Sequence, residues 1–288
     1  MNHVGSCPTI SFPPMGCYEM GFKTGLNSSK QPSEEKRRLQ DVFKPAVELE
    51  SVRGLKFALY GKAKVGKTHF CMTARRPIYI IDTEGSASVN KAAFPKEVQE
   101  EMFIAEVIQA ASKRDKEIDL VKSLDALVEA IDIVTDAVIT SEEENTPRGT
   151  IVIDSATDIW DWLGIWLDEA AGVKTTKSGD MPRFEWGKAN KKYAEMMYML
   201  LRSGWNVVMT FRAKNAVNSK GEDLGYIVPR WQKNTDYWMD LIGEMSKDAH
   251  RRIIFRGGRY GEHIPDLVDP TWDSLEQHLS KITGITFR

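Results

Sequence analysis

The octapeptide Gly61-Lys62-Ala63-Lys64-Val65-Gly66-Lys67-Thr68 constrains this chain more than any other stretch. It satisfies the pattern G-x-x-x-x-G-K-[ST] at every position, the signature of a loop that cradles phosphate groups. Each residue type has a physical reason. Glycine tolerates backbone angles and close approach that a Cβ forbids. Successive backbone N–H groups turned inward make an anion nest. The helix that starts near Lys67 adds its positive end. Lys67 is spaced to reach the β- and γ-phosphates of a nucleotide, and the Thr68 hydroxyl to ligand a magnesium ion. His69 follows directly and completes the nucleotide-binding set.

A chance match in a turn would lack the flanking elements that this loop needs, and here they are present. Residues 55–60 (LKFALY) form a short apolar run ending at Gly61, which predicts a buried strand. Residues 67–75 read as the following helix, stopped by Pro77. Further buried strands are predicted at 78–82 (IYIID), 150–154 (TIVID) and 205–211 (WNVVMTF), with a fifth at 252–255. Apolar positions recur with helical spacing from Leu120 to Val138, and a further helix is predicted over 193–201. Residues 141–149 read as a turn. Strands alternating with helices imply a three-layer α/β domain with a mostly parallel central sheet.

A loop of this kind needs a carboxylate at the end of a neighbouring strand to orient magnesium. Asp154 and Asp82 both end apolar runs, and either can instead cap a helix or a turn. Asp154 is the better candidate because Ser155 follows it.

The blocks GKAKVGKT, IYIIDTEG and TIVIDSATD, in that order, resemble the RecA/RadA family of ATPases. The likeness runs over roughly residues 53–260 and is nearest to phage-encoded RecA-like ATPases of single-strand annealing recombination. It implies a RecA-like P-loop fold, ATP and Mg²⁺ as cofactors, and hydrolysis with Lys67, Asp154 and Glu84 as catalytic groups. Thr68 and Asp154 would be the metal ligands. Glu84 matches the acid that polarises the attacking water; its plain reading is a loop residue or helix cap. Where RecA has a glutamine sensor this chain has Thr210-Phe211-Arg212. Arg212 is therefore open between sensing phosphate, touching DNA and facing solvent.

The family holds single-stranded DNA on two loops, and the equivalent segments here are basic. Residues 174–192 carry Lys174, Lys177, Arg183, Lys188, Lys191 and Lys192 against Asp180 and Glu185. Residues 212–233 carry Arg212, Lys214, Lys220, Arg230 and Lys233 against Glu222 and Asp223. The formal net charge is only -2, so DNA contact would come from these patches rather than from bulk charge. Phe184, Trp186, Tyr226 and Trp231 are interleaved and suit base stacking; the alternative is a solvated charged face with aromatics in the core.

The resemblance also implies self-association into a ring or filament, with a basic residue supplied in trans. Arg256 and Arg259 follow a late strand and are candidates, or are plain surface charge. Phe43-Lys44-Pro45-Ala46 has the Phe-x-x-Ala pattern of the RadA subunit tether.

Residues 1–50 are rich in Ser, Gly, Pro and Asn and read as a flexible arm, with the ATPase domain over 51–288. Three scattered cysteines fit a reducing, cytoplasmic setting, and no apolar run reaches the roughly 18 residues of a membrane span. Two rival functions remain. A P-loop small-molecule kinase would need an arginine-bearing lid, and none is recognisable. A nucleotide-gated binding module would bind ATP with little turnover.

Overall fold

Along the strand Lys56–Gly61 (β1), successive side chains go to opposite sides of a sheet, and both sides are apolar. Phe57 and Leu59 join one buried cluster; Ala58 and Tyr60 join another. The same division holds along Ile78–Asp82 (β2) and Thr150–Asp154 (β4), so these strands lie in the interior of a sheet covered on both faces. That burial is why they read as unbroken apolar runs. The structure is a computed structural model that describes residues 54–111, 117–140, 149–169 and 185–284. The expected arm, Phe43 and Ala46, residues 141–148 of the expected turn, and Lys174, Lys177, Arg183 and Phe184 lie outside the described residues.

The remaining strands are Met102–Glu106 (β3), Asn206–Val217 (β5), Asp223–Pro229 (β6), Leu241–Lys247 (β7), Arg251–Gly257 (β8) and Leu267–Val268 (β9). Their order across the sheet is β3-β2-β4-β5-β1-β7-β8-β9, with β6 paired to β5 off this path. Pairings from β3 through β7 are parallel, while β7–β8, β8–β9 and β5–β6 are antiparallel. The expected mostly parallel α/β sheet is the architecture observed.

One face carries Leu120–Thr140 (α4), Thr157–Glu169 (α5) and Trp186–Arg202 (α6), packed through Leu124, Leu127, Leu163, Tyr193 and Met197. The other carries Lys67–Cys71 (α1), the short helices Ala87–Asn90 (α2) and Lys96–Gln99 (α3), and the C-terminal helix Trp272–Thr283 (α7). Helix α7 begins with a capping box at Thr271 and Ser274 and ends at Gly284, whose φ of 64° closes the helix in the left-handed region. No helix among the described residues is long and apolar enough to cross a membrane.

Several element bounds differ from those expected. Helix α1 stops at Cys71 rather than residue 75, and the chain turns before the Arg76–Pro77 step. Helix α6 starts at Trp186, seven residues ahead of the expected start, and so takes in Lys188, Lys191 and Lys192. Those lysines are not on a loop. They pair with Glu185, Glu195 and Asp125, and Lys192 also sits over the Trp166 ring. Strand β5 runs six residues past Phe211, because its distal half leaves the sheet as one arm of a hairpin with β6.

Candidate nucleotide site

Parallel strands bring their carboxyl ends to one edge of the sheet, and ligands of open α/β sheets bind outside that edge. The register decides which residues meet there. Asp82 lies beside Asp154, and Gly61 lies beside Arg212.

The loop leaves β1 at Gly61, where a Cβ would stand 2.3 Å from the carbonyl oxygen of Met245 on β7. Any side chain there would push the loop off the sheet. At Gly66 φ is 107°, a value that favours glycine. Lys64 between them also has positive φ, so Lys62, Ala63, Lys64 and Val65 turn back over the strand end. Helix α1 then begins, with Phe70 N–H donating to Gly66 O at 3.0 Å. Lys67 Nζ donates to the carbonyls of Gly61 and Lys62, both at 3.1 Å. Burial pushes its pKa down, and the carboxylates of Asp154 and Glu84 oppose that. His69 stacks on Phe94 with ring centres 4.9 Å apart. Its pKa is lowered by burial and by the nearby Arg251.

The two acids that ended apolar runs have separate jobs. Asp82 accepts backbone N–H groups from Glu84, Gly85 and Ala87 at 2.7–3.0 Å and so ties down the turn after β2. Its oxygens are spent on that turn. Asp154 instead accepts from Thr68 Oγ1 at 2.5 Å and from Thr210 Oγ1. It is 2% exposed, and burial raises its carboxyl pKa against the pull of the two hydroxyls. A buried carboxylate beside the loop threonine is a set of hard oxygen donors, and an anion short of compensating charge. Both properties fit Mg²⁺. Among the described residues no three His, Cys, Asp or Glu side chains group as a metal cage, so phosphate oxygens would complete such a site.

Glu84 stands in the turn that Asp82 organises, and its charge is felt at both Lys67 and Asp154. Its Oε1 accepts from Arg212 Nε at 3.0 Å and lies 2.9 Å from Nη2. Arg212 Nη2 also reaches both oxygens of Asp158, at 3.0 and 3.1 Å. Arg212 is thus neither a bare surface arginine nor hidden, since its side chain is 45% exposed.

Three residues of this neighbourhood were assigned no role from the sequence. Thr210 is a polar side chain within the buried run VVMTF of β5. Asp158 lies four residues after Asp154, in the first turn of α5. Arg251 comes from β8 across the loop, its side chain 2.9 Å from where a Gly66 Cβ would be.

Of the basic residues expected near DNA, Arg230 pairs with Asp161 at 2.9 Å, while Lys214 and Lys220 make no ion pair among the described residues. Tyr226 is 57% exposed on β6. Trp231 packs edge-on to Phe211, and Trp186 stacks on Trp160, so both lie against the core. Arg256 pairs with Glu244 at 2.9 Å, and Tyr60 donates to the same carboxylate at 3.3 Å. Arg256 also lines an open cleft of about 460 Å³ with Lys62, Val65 and Tyr226. Arg259 is at the opposite edge of the sheet, 3.7 Å from Asp240 at the start of β7.

No curated protein matches the sequence. Among solved structures, a KaiC-like protein from the hyperthermophilic archaeon Pyrococcus horikoshii is similar, with 15% identity and a TM-score of 0.41 over 75% of this chain and 85% of that one. The profile of AAA_24, described as an AAA domain, matches residues 53–264, well over half of the sequence, and the chain therefore belongs to that family of P-loop ATPase domains.

Proposed function

We propose that this protein is a RecA-like ATPase that hydrolyses Mg-ATP and acts on single-stranded DNA in recombination or annealing of the phage type. The observation that carries the ATPase reading is the meeting of Thr68 Oγ1 and Asp154 at 2.5 Å beside the loop, with Glu84 held at the same sheet edge. Loop amides and Lys67 bind and orient the β- and γ-phosphates. Thr68 and Asp154 would hold Mg²⁺, which would supply positive charge to offset that of the phosphates. Glu84 takes a proton from water as the water oxygen attacks the γ-phosphorus and the bond to the β-phosphate oxygen breaks.

The DNA reading is supported by the β5–β6 hairpin. It leaves the sheet directly after Arg212 and exposes Lys214, Lys220 and Tyr226. Self-association into a ring or filament belongs to the same reading, with Arg256 or Arg259 offered to the neighbouring site.

The test is phosphate release from Mg-ATP, with and without a single-stranded oligonucleotide, and with Lys67→Ala as control. DNA should raise turnover several-fold, and the variant should abolish it. Turnover indifferent to DNA overturns the DNA part. ATP binding with no release replaces the reading with a nucleotide-gated module. Transfer of the phosphate to a sugar or nucleoside replaces it with a kinase.

A further inference from the structure

Arg212 lies within a closed ring of polar contacts. Asp158 Oδ2 accepts from Thr83 Oγ1 at 2.8 Å, and Thr83 is the chain neighbour of Glu84. Thr83 Oγ1 in turn accepts the Ser155 N–H at 2.7 Å. The turn after β2, the start of α5 and the end of the buried part of β5 are therefore joined through two carboxylates and one guanidinium. The anchoring end is the drier one: the Asp158 side chain is 10% exposed, against 34% for Glu84. The backbone of Arg212 is pinned as well. Its N–H donates to Thr157 Oγ1 at 2.9 Å, and its carbonyl accepts the Arg230 N–H at 2.8 Å.

We propose that Arg212 is a positioning residue for Glu84, holding one carboxylate oxygen so that the other is presented to the attacking water. The inference rests on reading Glu84 as the group that takes the water proton. The contacts from Nε and Nη2 both fall on Oε1. A planar guanidinium with a fixed fork of donors, clamped behind by Asp158, fixes the direction of the carboxylate as a lysine ammonium cannot. This arrangement separates positioning from phosphate binding. Nε and Nη2 of Arg212 go to two carboxylates, whereas Lys67 and the loop amides carry the phosphates.

The experiment uses the full chain with Mg-ATP and a single-stranded oligonucleotide, and measures kcat, KM and nucleotide affinity separately. Arg212→Ala should lower kcat by roughly 10- to 100-fold, as loss of an orienting partner does elsewhere. ATP affinity and KM should stay within about twofold, and Arg212→Lys should recover part of kcat. Asp158→Asn should act in the same direction and more weakly. It also serves if Arg212→Ala fails to fold. In a Glu84→Gln background, Arg212→Ala should add no further loss. Equal losses in ATP affinity and kcat would make Arg212 a phosphate contact and overturn the proposal. Additive losses with Glu84→Gln would make it independent of Glu84 and overturn the proposal alone. Wild-type turnover in Glu84→Gln itself would overturn the reading of Glu84, and the positioning role with it.

Discussion

Asp154 shows how a site residue can cost stability. Its folded-state pKa is raised above the ordinary 3.8 by burial, so the folded protein holds this proton to higher pH than the unfolded chain does. The stability linked to it is therefore greatest below pH 3.8, falls as pH rises through the window up to the raised value, and stays low at neutral pH. Asp154→Asn removes the buried charge; its one carbonyl oxygen still accepts from one of Thr68 and Thr210, and its amide donates to the hydroxyl of the other. In the nucleotide-free protein near pH 7 the variant should melt higher, by about 2–4 °C for each kcal/mol recovered in a domain of this size. The advantage should fade as pH drops towards 4, and turnover should fall by about a hundredfold or more. Thermal melts across pH decide the matter. A variant that melts lower at neutral pH would show that the carboxylate charge already has its counter-charge without a ligand. At this scale a residue's place was readable where it belongs to the motif or ends a buried strand, as for Lys67, Thr68 and Asp154, which meet at one sheet edge. It was not readable for Arg212 and Asp158, whose pairing depends on three segments meeting, nor for Arg251, which comes from a strand about 185 residues downstream of the loop glycine it covers.

At the scale of elements, burial set what was legible. Strands β1, β2 and β4 are covered on both faces and betray themselves as apolar runs. Strand β3 is an edge with Phe103 half in solvent, and its apolar run of four, Met102 to Ala105, is short and closed by Glu101 and Glu106, so it does not stand out. Strand β7 alternates, but its Gly243 breaks the pattern. That glycine is needed because a Cβ would stand 2.8 Å from Ile253 and 3.0 Å from the Phe57 ring. Strand β6 is exposed through its first four residues and is defined by its backbone partner, which composition does not report. Helix α7 was not foreseen either, though it packs on α1 and the turn that follows it. The Trp272 N–H donates to Thr73 Oγ1 at 2.9 Å, and Glu276 pairs with Arg75 at 2.7 Å. Leu279 on its inner face is fully buried in the same cluster as Phe70 and Cys71. Leu279→Ala should destabilise the domain by about 2–5 kcal/mol, and the volume-conserving Leu279→Met by less than about 1.5 kcal/mol. Urea midpoints at unchanged slope would measure this. A cost near zero for the alanine variant would mean that α7 only leans on the domain and does not hold α1 in place.

For the whole molecule, the balance of charge decides how DNA could be held. At a formal net charge of -2 there is no long-range attraction to a polyanion, so affinity has to arise where cations are local and unpaired. Arg212 and Arg230 are engaged by acids of α5, and Lys188, Lys191 and Lys192 by acids nearby. Lys214 and Lys220 on the projecting hairpin make no ion pair among the described residues, and Tyr226 offers an exposed ring on the same hairpin. Each phosphate neutralised on a single strand contributes about 0.7 to the slope of log affinity against log salt concentration. Replacing Lys214 and Lys220 together by alanine should therefore flatten that slope by about 1.4. Tyr226→Ala should leave the slope alone and weaken binding by roughly 1–3 kcal/mol, the worth of a stacked base. Anisotropy of a labelled oligonucleotide, titrated at several salt concentrations, separates the two effects because charge and stacking respond differently to salt. If the double lysine variant keeps the full slope, the hairpin is not the DNA surface, and its exposed Val217, Leu224 and Tyr226 then favour a protein partner, since three apolar side chains in solvent suit an apolar contact better than a phosphate backbone.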